Sequence, residues 1–401
     1  VPRVSAKSLR FTESVIREMT RLARAHDAIN LAQGFPDFEP PDVVKEVACA
    51  AITGGVNQYA ITWGAPSLRE AIAEKARWYN GLAVDPERHV TVCCGSTEAM
   101  LSTLLALVDP GDEVVVFEPF YENYGPDAIL CGAVPRFVAL REPDWSFDEG
   151  ELRAAFGPRT KAIVLNSPNN PTGKVFTRGE LAIVASLCER HGVVAISDEI
   201  YEHILYDGAR HVSLASLPGM EERSVTISAL SKTYSVTGWR VGWAIACEEL
   251  TGAIRKVHDF ATVGAPSPLQ EAGAAALRLP HSYYEELARA YAARRDLLLG
   301  ALEAAGLAPF RPSGAYYSMA DFSRLGFDDD AEFATFLVRD VGVAAVPGSS
   351  FYVDPSRGRT RIRFNFCKRD ETLIAAAERL AGLPEAARGR SAALRRRPAA
   401  G

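Results

Sequence analysis

The sequence predicts an α/β fold: a mainly parallel central sheet with helices on both faces, accompanied by a smaller α+β part. Two observations carry this. Between residues 90 and 245, apolar β-branched runs alternate with helix-patterned stretches across short turns such as "DPGD" at 109–112. After residue 280 that alternation stops, and a long helical stretch is followed by shorter strands.

Val15, Ile16, Met19, Leu22 and Ala23 form an apolar stripe at helical spacing over 14–26. The next segment, "LAQGFPDFEPP" (31–41), is irregular because it is rich in Gly and Pro. Ser67 and Glu70 have capping-box spacing and open a helix that runs to about Asn80. Strands are expected at 90–94, 113–117, 134–138, 162–165, 193–197, 224–228 and 239–245. Helices fit between most of them, over 97–108, 121–131, 148–156 and 178–191. A helix over 282–305 then precedes strands near 315–320, 343–346 and 360–366, and a helix from 371. This divides the chain into an N-terminal segment (1–45) that joins the small domain, a large domain (46–281) and a C-terminal small domain (282–385). Residues 386–401 are basic and uncored, and are expected to form a disordered tail.

With 401 residues, 48% of them hydrophobic, the chain has apolar surface for two or three domains. A net charge of −6 gives no basic field for nucleic acid or an anionic membrane. The seven irregularly spaced cysteines read as reduced thiols of a cytoplasmic protein. No apolar run reaches membrane-spanning length, and "VPRVSAKSLRFTESV" has no signal-peptide core.

Ligands of open parallel sheets bind outside the carboxyl ends of the strands, so the polar clusters there matter most. After strand 90–94, Gly95, Ser96 and Thr97 open a helix whose free N–H groups suit phosphate; a plain N-cap would use the same residues. After 162–165 comes "NSPNNPTG", where Asn170 could donate to an oxygen or serve turn geometry alone. Asp198 in "SDEIY" is costly to bury without a cation, unless it caps a helix. Lys232, in "SALSKTYSVTGWRVG", has no charged neighbour until Arg240. Desolvation in a tight loop would lower its pKa and make it a nucleophile or base; an ordinary loop lysine would reach back to water. One ligand needs this whole set. The aldehyde of pyridoxal 5′-phosphate condenses with a lysine, its ring nitrogen needs a carboxylate, and its phosphate needs N–H groups and a cation.

With those residues in place, the sequence resembles the fold-type I, class I/II pyridoxal-phosphate-dependent aminotransferases over nearly its whole length. It looks most like their kynurenine aminotransferase, glutamine transaminase K and methionine aminotransferase branch. The stretches that carry the resemblance are "INLAQGFPDFEPP", "NQYAITWGAPSLREAIA", "LNSPNNPTGKVF", "SDEIYEHILYDG", "SKTYSVTGWRVGW", "PSGAYYSMADF" and "RFNFCKRDETL". The resemblance implies transfer of an amino group from an L-amino acid to a 2-oxo acid, through an internal aldimine on Lys232 and a pyridoxamine phosphate intermediate. It implies that Asp198 pairs with the pyridinium nitrogen, and that Asn170 and Tyr201 hydrogen-bond the phenolic oxygen. Ser96, Thr97 and Arg240 would hold the phosphate, and Tyr121 would stack on the ring. Arg363 would clamp the substrate α-carboxylate with help from Gly34 and Asn170. Tyr59 would reach the phosphate of a neighbouring subunit, which implies a homodimer with shared sites. No metal is implied.

Three departures stand out. Ala229 occupies a position where the family usually has Ser or Gly, which implies either that Ser228 or Ser231 compensates or that cofactor affinity is lower. Val263 and Gly264 fall about where the kynurenine-type branch has an aromatic residue and a histidine. Arg361 lies two residues before Arg363 and competes with it for the carboxylate role. Another reaction on the same scaffold, such as elimination, cyclisation or an ACC-synthase-like step, would share the lysine, aspartate and arginines. No G-x-G-x-x-G follows the first strand, which argues against a dinucleotide enzyme.

Overall fold

The computed structural model describes residues 4–395. The chain opens with α1 (Val15–Ala25), β1 (Ile29–Asn30), α2 (Asp42–Thr53) and α3 (Pro66–Lys75). Strands and helices then alternate: β2 (Val90–Cys93), α4 (Ser96–Leu107), β3 (Glu113–Glu118), α5 (Tyr124–Leu130), β4 (Val134–Arg141), β5 (Ser146–Phe147) and α6 (Glu149–Ala155). The alternation continues with β6 (Thr160–Asn166), α7 (Arg178–His191), β7 (Val194–Asp198), β8 (Ser224–Ala229), α8 (Leu230–Thr233) and β9 (Gly242–Ile245). Three helices follow: α9 (Glu248–Thr262), α10 (Ser267–Leu277) and α11 (His281–Ala304). The last part holds β10 (Ala308–Pro309), β11 (Tyr317–Asp321), α12 (Asp330–Phe336), β12 (Val343–Ala344), β13 (Val346–Pro347), β14 (Arg361–Asn365), α13 (Asp370–Leu380) and α14 (Leu383–Arg395).

The main sheet has eight strands in the order β2-β9-β8-β7-β6-β3-β4-β5. The pairs from β8 through β7, β6 and β3 to β4 are parallel, whereas β9 runs antiparallel between β2 and β8. Both faces are covered, which is why these strands read as continuous apolar runs. Val114, Val116, Val164 and Ile196 pack on one side with Met100 and Leu104 of α4 and Ile254 of α9. Val115, Ile163 and Leu165 pack on the other with Leu181 and Val184 of α7. A separate antiparallel sheet has the order β10-β11-β14-β13. The N-terminal segment joins this later part, because β1 pairs in parallel with β12.

Several local expectations are corrected. The Ser67–Glu70 capping box does not form; Ala65 and Pro66 begin α3, and Ser67 Oγ donates to Glu271 at 2.9 Å. Proline at the first helical position needs no capped N–H, so the box is dispensable. The helix expected over 121–131 starts at Tyr124, leaving Tyr121 in the preceding loop. The strand expected over 239–245 begins only at Gly242, because Thr237–Trp239 form a 3₁₀ turn and Arg240 is left-handed at φ +55°. Lys232 sits in the short helix α8 rather than in a loop. The strand expected over 343–346 is two short strands in different sheets. The tail expected to be disordered from 386 is instead helical to Arg395. Leu383 and Ala387, four residues apart, bury one face of α14 against the core, and Arg390 pairs with Glu332. The remainder of that tail, 396–401, lies outside the described residues. No helix among the described residues is long and apolar enough to cross a membrane.

Candidate active site

A cleft opens at the carboxyl ends of β6 and β7 and the start of α4. Gly34, Ser96, Thr97, Tyr121, Asn170, Asp198, Tyr201, Lys232 and Arg240 all line it. Residues spread over more than 200 positions of sequence are therefore brought to one place by the sheet order.

At one end lies the first turn of α4. The N–H groups of Ser96 and Thr97 have no intrahelical acceptor there. Gly95 precedes them at φ +83°, and a Cβ on it would lie 2.3 Å from Arg240 Nη2. The left-handed φ favours Gly here, and its missing side chain lets the Arg240 guanidinium lie close over the turn. The left-handed backbone of Arg240 is the counterpart: it turns the guanidinium back over Gly95, with Nη1 donating to Thr237 O at 3.1 Å.

At the other end Asp198 terminates β7. Its Oδ2 accepts from Tyr124 Oη at 2.7 Å and its Oδ1 from Ile200 N at 3.2 Å. Burial pushes this carboxyl up to about 6, against the lowering effect of those two hydrogen bonds. Lys232 enters between the two ends. Its Nζ donates to Gly34 O at 3.1 Å, and Tyr316 Oη donates to the same oxygen at 2.9 Å. Burial brings the amine down to about 8, with Arg240 and Arg363 contributing and Asp198 opposing. Tyr201 Oη lies 3.2 Å from Tyr317 Oη. A Cβ on Gly34 would fall 1.9 Å from that same Tyr317 oxygen.

Two of the expected residues are not on the cleft wall. Arg363 is fully buried immediately behind it: Nη1 donates to Asn170 Oδ1 and Nη2 to Ala32 O, both at 2.7 Å. Its guanidinium carbon sits 4.3 Å from the Tyr317 ring centroid and 4.8 Å from that of Phe351. Tyr59 is 85% exposed and does not line its own chain's cleft. Arg361 is otherwise engaged, gripping Glu142 through Nε and Nη2 and Asp321 through Nη1, each at 2.7 Å. Of the two serines considered for the Ala229 departure, Ser228 turns away and donates to Glu202 at 2.9 Å, while Ser231 lines the cleft. Val263 and Gly264 do not line it.

Sequence reasoning missed Tyr124, Tyr316, Tyr317 and Thr237, which complete the site. The signal was present in part: "EPFYENY" holds Tyr124 three residues after Tyr121, and "PSGAYYSMADF" carries the adjacent pair Tyr316 and Tyr317.

The donor set fits pyridoxal phosphate on observations independent of any motif. A buried carboxylate and a half-buried amine face one cleft, yet no ion pair joins Asp198 to Lys232, so each is left for a third group. Amides and a guanidinium converge at the glycine-lined end where a phosphate would sit. Fold and cleft together define an enzyme that uses pyridoxal phosphate on a fold-type I scaffold.

The chain belongs to the aminotransferase class I and II family, whose sequence model matches residues 26–380. It is 39% identical to kynurenine–oxoglutarate transaminase 1 of Homo sapiens, over 90% of this chain and 94% of that one. It is also 39% identical to methionine aminotransferase of Escherichia coli, over 92% and 95% of the two chains. The solved structure of N-succinyldiaminopimelate aminotransferase from Mycobacterium tuberculosis superposes with a TM-score of 0.92 at 40% identity. That match covers 95% of this chain and 100% of the other. The protein is a pyridoxal-phosphate-dependent aminotransferase, and its substrates are amino and 2-oxo acids.

Proposed function

We propose that this chain divides amino transfer among its residues as follows. Lys232 is the amine that takes the cofactor and afterwards carries a proton at the substrate α-carbon, and its depressed pKa leaves a usable fraction neutral near pH 8. Asp198 keeps the cofactor's ring nitrogen protonated, and Tyr124 keeps Asp198 oriented. Asn170 and Tyr201 donate to the ring oxygen. Because Arg363 donates to Asn170 Oδ1, the Asn170 amide nitrogen is the end left for the cleft. Ser96, Thr97 and Arg240 hold the phosphate, with Ser231 and Thr237 beside them, and Tyr121 faces the ring. When bound, the cofactor supplies the aldehyde that receives the amino group and the ring that delocalises the electron pair. Arg363 receives the α-carboxylate, aided by the backbone at Gly34. Since the guanidinium is fully covered, a carboxylate reaches it only when a covering side chain, Tyr317 foremost, gives way.

The observation that carries this reading is a buried carboxylate, Asp198, and a half-buried amine, Lys232, that face one cleft without pairing with each other. A structural pair would have closed into a salt bridge.

We further propose a cytoplasmic homodimer with no membrane or nucleic-acid partner. Tyr59, Ile61, Phe260 and Val263 are exposed apolar or aromatic residues. The segments that bear them pack together, since Ala60 N donates to Ser267 and Thr62 O accepts from His258. That face suits a second copy, whose phosphate site Tyr59 would reach. We propose the large, small and N-terminal units of the sequence reading as the domains.

The test is a panel of amino acids against 2-oxoglutarate and pyruvate, with ammonia and oxo-product assays, alongside sedimentation of wild type and Tyr59→Asp. Transfer without ammonia release, and a dimer weakened by Tyr59→Asp, are expected. Ammonia release as the main product, or a monomeric wild type, would overturn the corresponding part.

A further inference from the structure

Outside the cleft lining, a buried acid–base pair braces the first turn of α4. Glu98, the third residue of that helix, accepts from Cys94 N at 2.9 Å and from the Ser102 hydroxyl. Both of its carboxylate oxygens also lie 3.1 Å from Nδ1 of His258 on α9. The other ring nitrogen, Nε2, is 2.9 Å from Thr62 O. A ring with a carboxylate on one side and a carbonyl oxygen on the other has acceptors at both nitrogens, which is the setting of an imidazolium. His258 is completely buried.

We propose that His258 is a positioning residue for the phosphate end of the cofactor: it cancels the charge of Glu98 beneath the α4 cradle and ties that turn to the loop bearing Tyr59. The inference rests on the reading that phosphate binds at the start of α4. Glu98 is needed there, because its bond to Cys94 N fixes the Gly95 turn. Its negative charge, however, stands in the same helical turn that must attract a dianion, and buried charges are screened poorly. A cation on the far side of Glu98 removes that conflict.

The surrounding groups agree. Burial works against a charged His258, but the Glu98 hydrogen bond and charge outweigh it and raise its pKa. Burial likewise works against a charged Glu98, and His258 together with the Ser102 hydroxyl and the Cys94 amide outweighs it, keeping the carboxyl low. Asp259 on the same helix adds a weaker negative charge. Cys93, whose thiol sits in the same cluster, is held neutral by burial. Cys94 is raised by burial too, and Arg240 acts on it from the cleft side.

The experiment measures affinity for pyridoxal phosphate and for pyridoxal, which has the same ring and aldehyde but no phosphate, from pH 7 to 9. Over that range the phosphate is already fully ionised, since its second pKa is about 6. His258→Gln should weaken pyridoxal phosphate roughly tenfold or more while leaving pyridoxal within about twofold. Glu98→Gln/His258→Gln should recover most of that loss, because two neutral amides keep the Cys94 bond without the charge. In wild type the ratio of the two affinities should fall as pH rises through the His258 titration, since a raised pKa means that its charge is lost on the alkaline side. Glu98→Gln should flatten that dependence. Lys232 titrates in the same range but acts on both ligands, so it cancels in the ratio. Equal weakening of both ligands by His258→Gln, or a double variant no better than the single one, would reduce the pair to packing and overturn the proposal. Arg240→Gln separates the two levels. If it lowers the ratio and the His258 variants do not, only this inference fails; if it too leaves the ratio unchanged, the phosphate reading fails and takes this inference with it.

Discussion

Arg363 and Asn170 share a 2.7 Å hydrogen bond, while the Arg363 Nε–H is buried with no acceptor and no carboxylate among the described residues pairs with the guanidinium. Two residues earlier on the same strand, Arg361 holds two carboxylates, those of Glu142 and Asp321. One arginine is neutralised within the chain, and the other has only Asn170 and a backbone carbonyl as partners.

Arg363→Lys should therefore raise KM sharply for every amino and oxo acid tested, because a lysine cannot reproduce the two parallel hydrogen bonds of the fork. Cofactor binding should survive. Arg361→Lys should change KM little and cost stability instead. Steady-state kinetics over a substrate panel checks both, and a uniform defect in Arg361→Lys alone would reverse the assignment.

Asp198→Asn should lower kcat by at least about two to three orders of magnitude, as for other preorganised charge partners. In the cofactor-free protein the same substitution should stabilise the fold at neutral pH. The folded carboxyl titrates at about 6, above its ordinary 3.8, so its ionisation is a penalty that is absent at low pH and grows as pH rises through that window. Thermal melts at pH 4 and pH 7.5 should show no gain and a clear gain, respectively.

Lys232 behaves with the opposite sign. Its amine is depressed from 10.5 to about 8, so below pH 8 its protonation is a full penalty that fades as pH rises toward 10.5. Cofactor-free Lys232→Met should melt higher than wild type at pH 7, with the difference vanishing above about pH 10.5. In the loaded protein, borohydride should attach the cofactor to the peptide containing Lys232. Lys232→Ala should still bind the cofactor noncovalently but lose turnover; label found on another lysine would refute the role.

Tyr124→Phe removes the side-chain hydrogen bond that steadies the Asp198 carboxylate. A bond to a charged group of that kind is worth roughly one pKa unit or more. The Asp198 carboxyl of the cofactor-free protein should titrate correspondingly higher by carbon NMR, and kcat should fall about tenfold. An unchanged titration would leave Tyr124 a packing residue.

Much of the site was legible in the linear chain. Asp198, Lys232, Asn170 and the Ser96–Thr97 turn each sit directly after a buried apolar run, and in a parallel sheet that position alone sends them to one edge. The alternation of strands and helices was legible for the same reason, since strands covered on both faces must be apolar throughout. The final tail was misread because its composition is basic, whereas two apolar residues four apart, Leu383 and Ala387, were enough to dock α14.

Other features depended on contacts that no local pattern encodes. Arg361 and Arg363 differ in sequence only by their spacing to "KRDETL"; the placement of Glu142, Asp321 and Asn170, all distant along the chain, gives one two carboxylates and leaves the other with none. Tyr124 and Tyr317 became site residues because α5 and β11 deliver them to Asp198 and Tyr201. His258 meets Glu98, 160 positions away, only because the fold brings α9 against α4. The sequence by itself determined the periodic, solvent-excluding pattern and the chemical types at the strand ends, because burial and backbone preference act residue by residue. Tertiary structure decided which charges are paired, which are buried alone and at what pKa, because electrostatic environment is set by whatever the fold brings within a few ångströms.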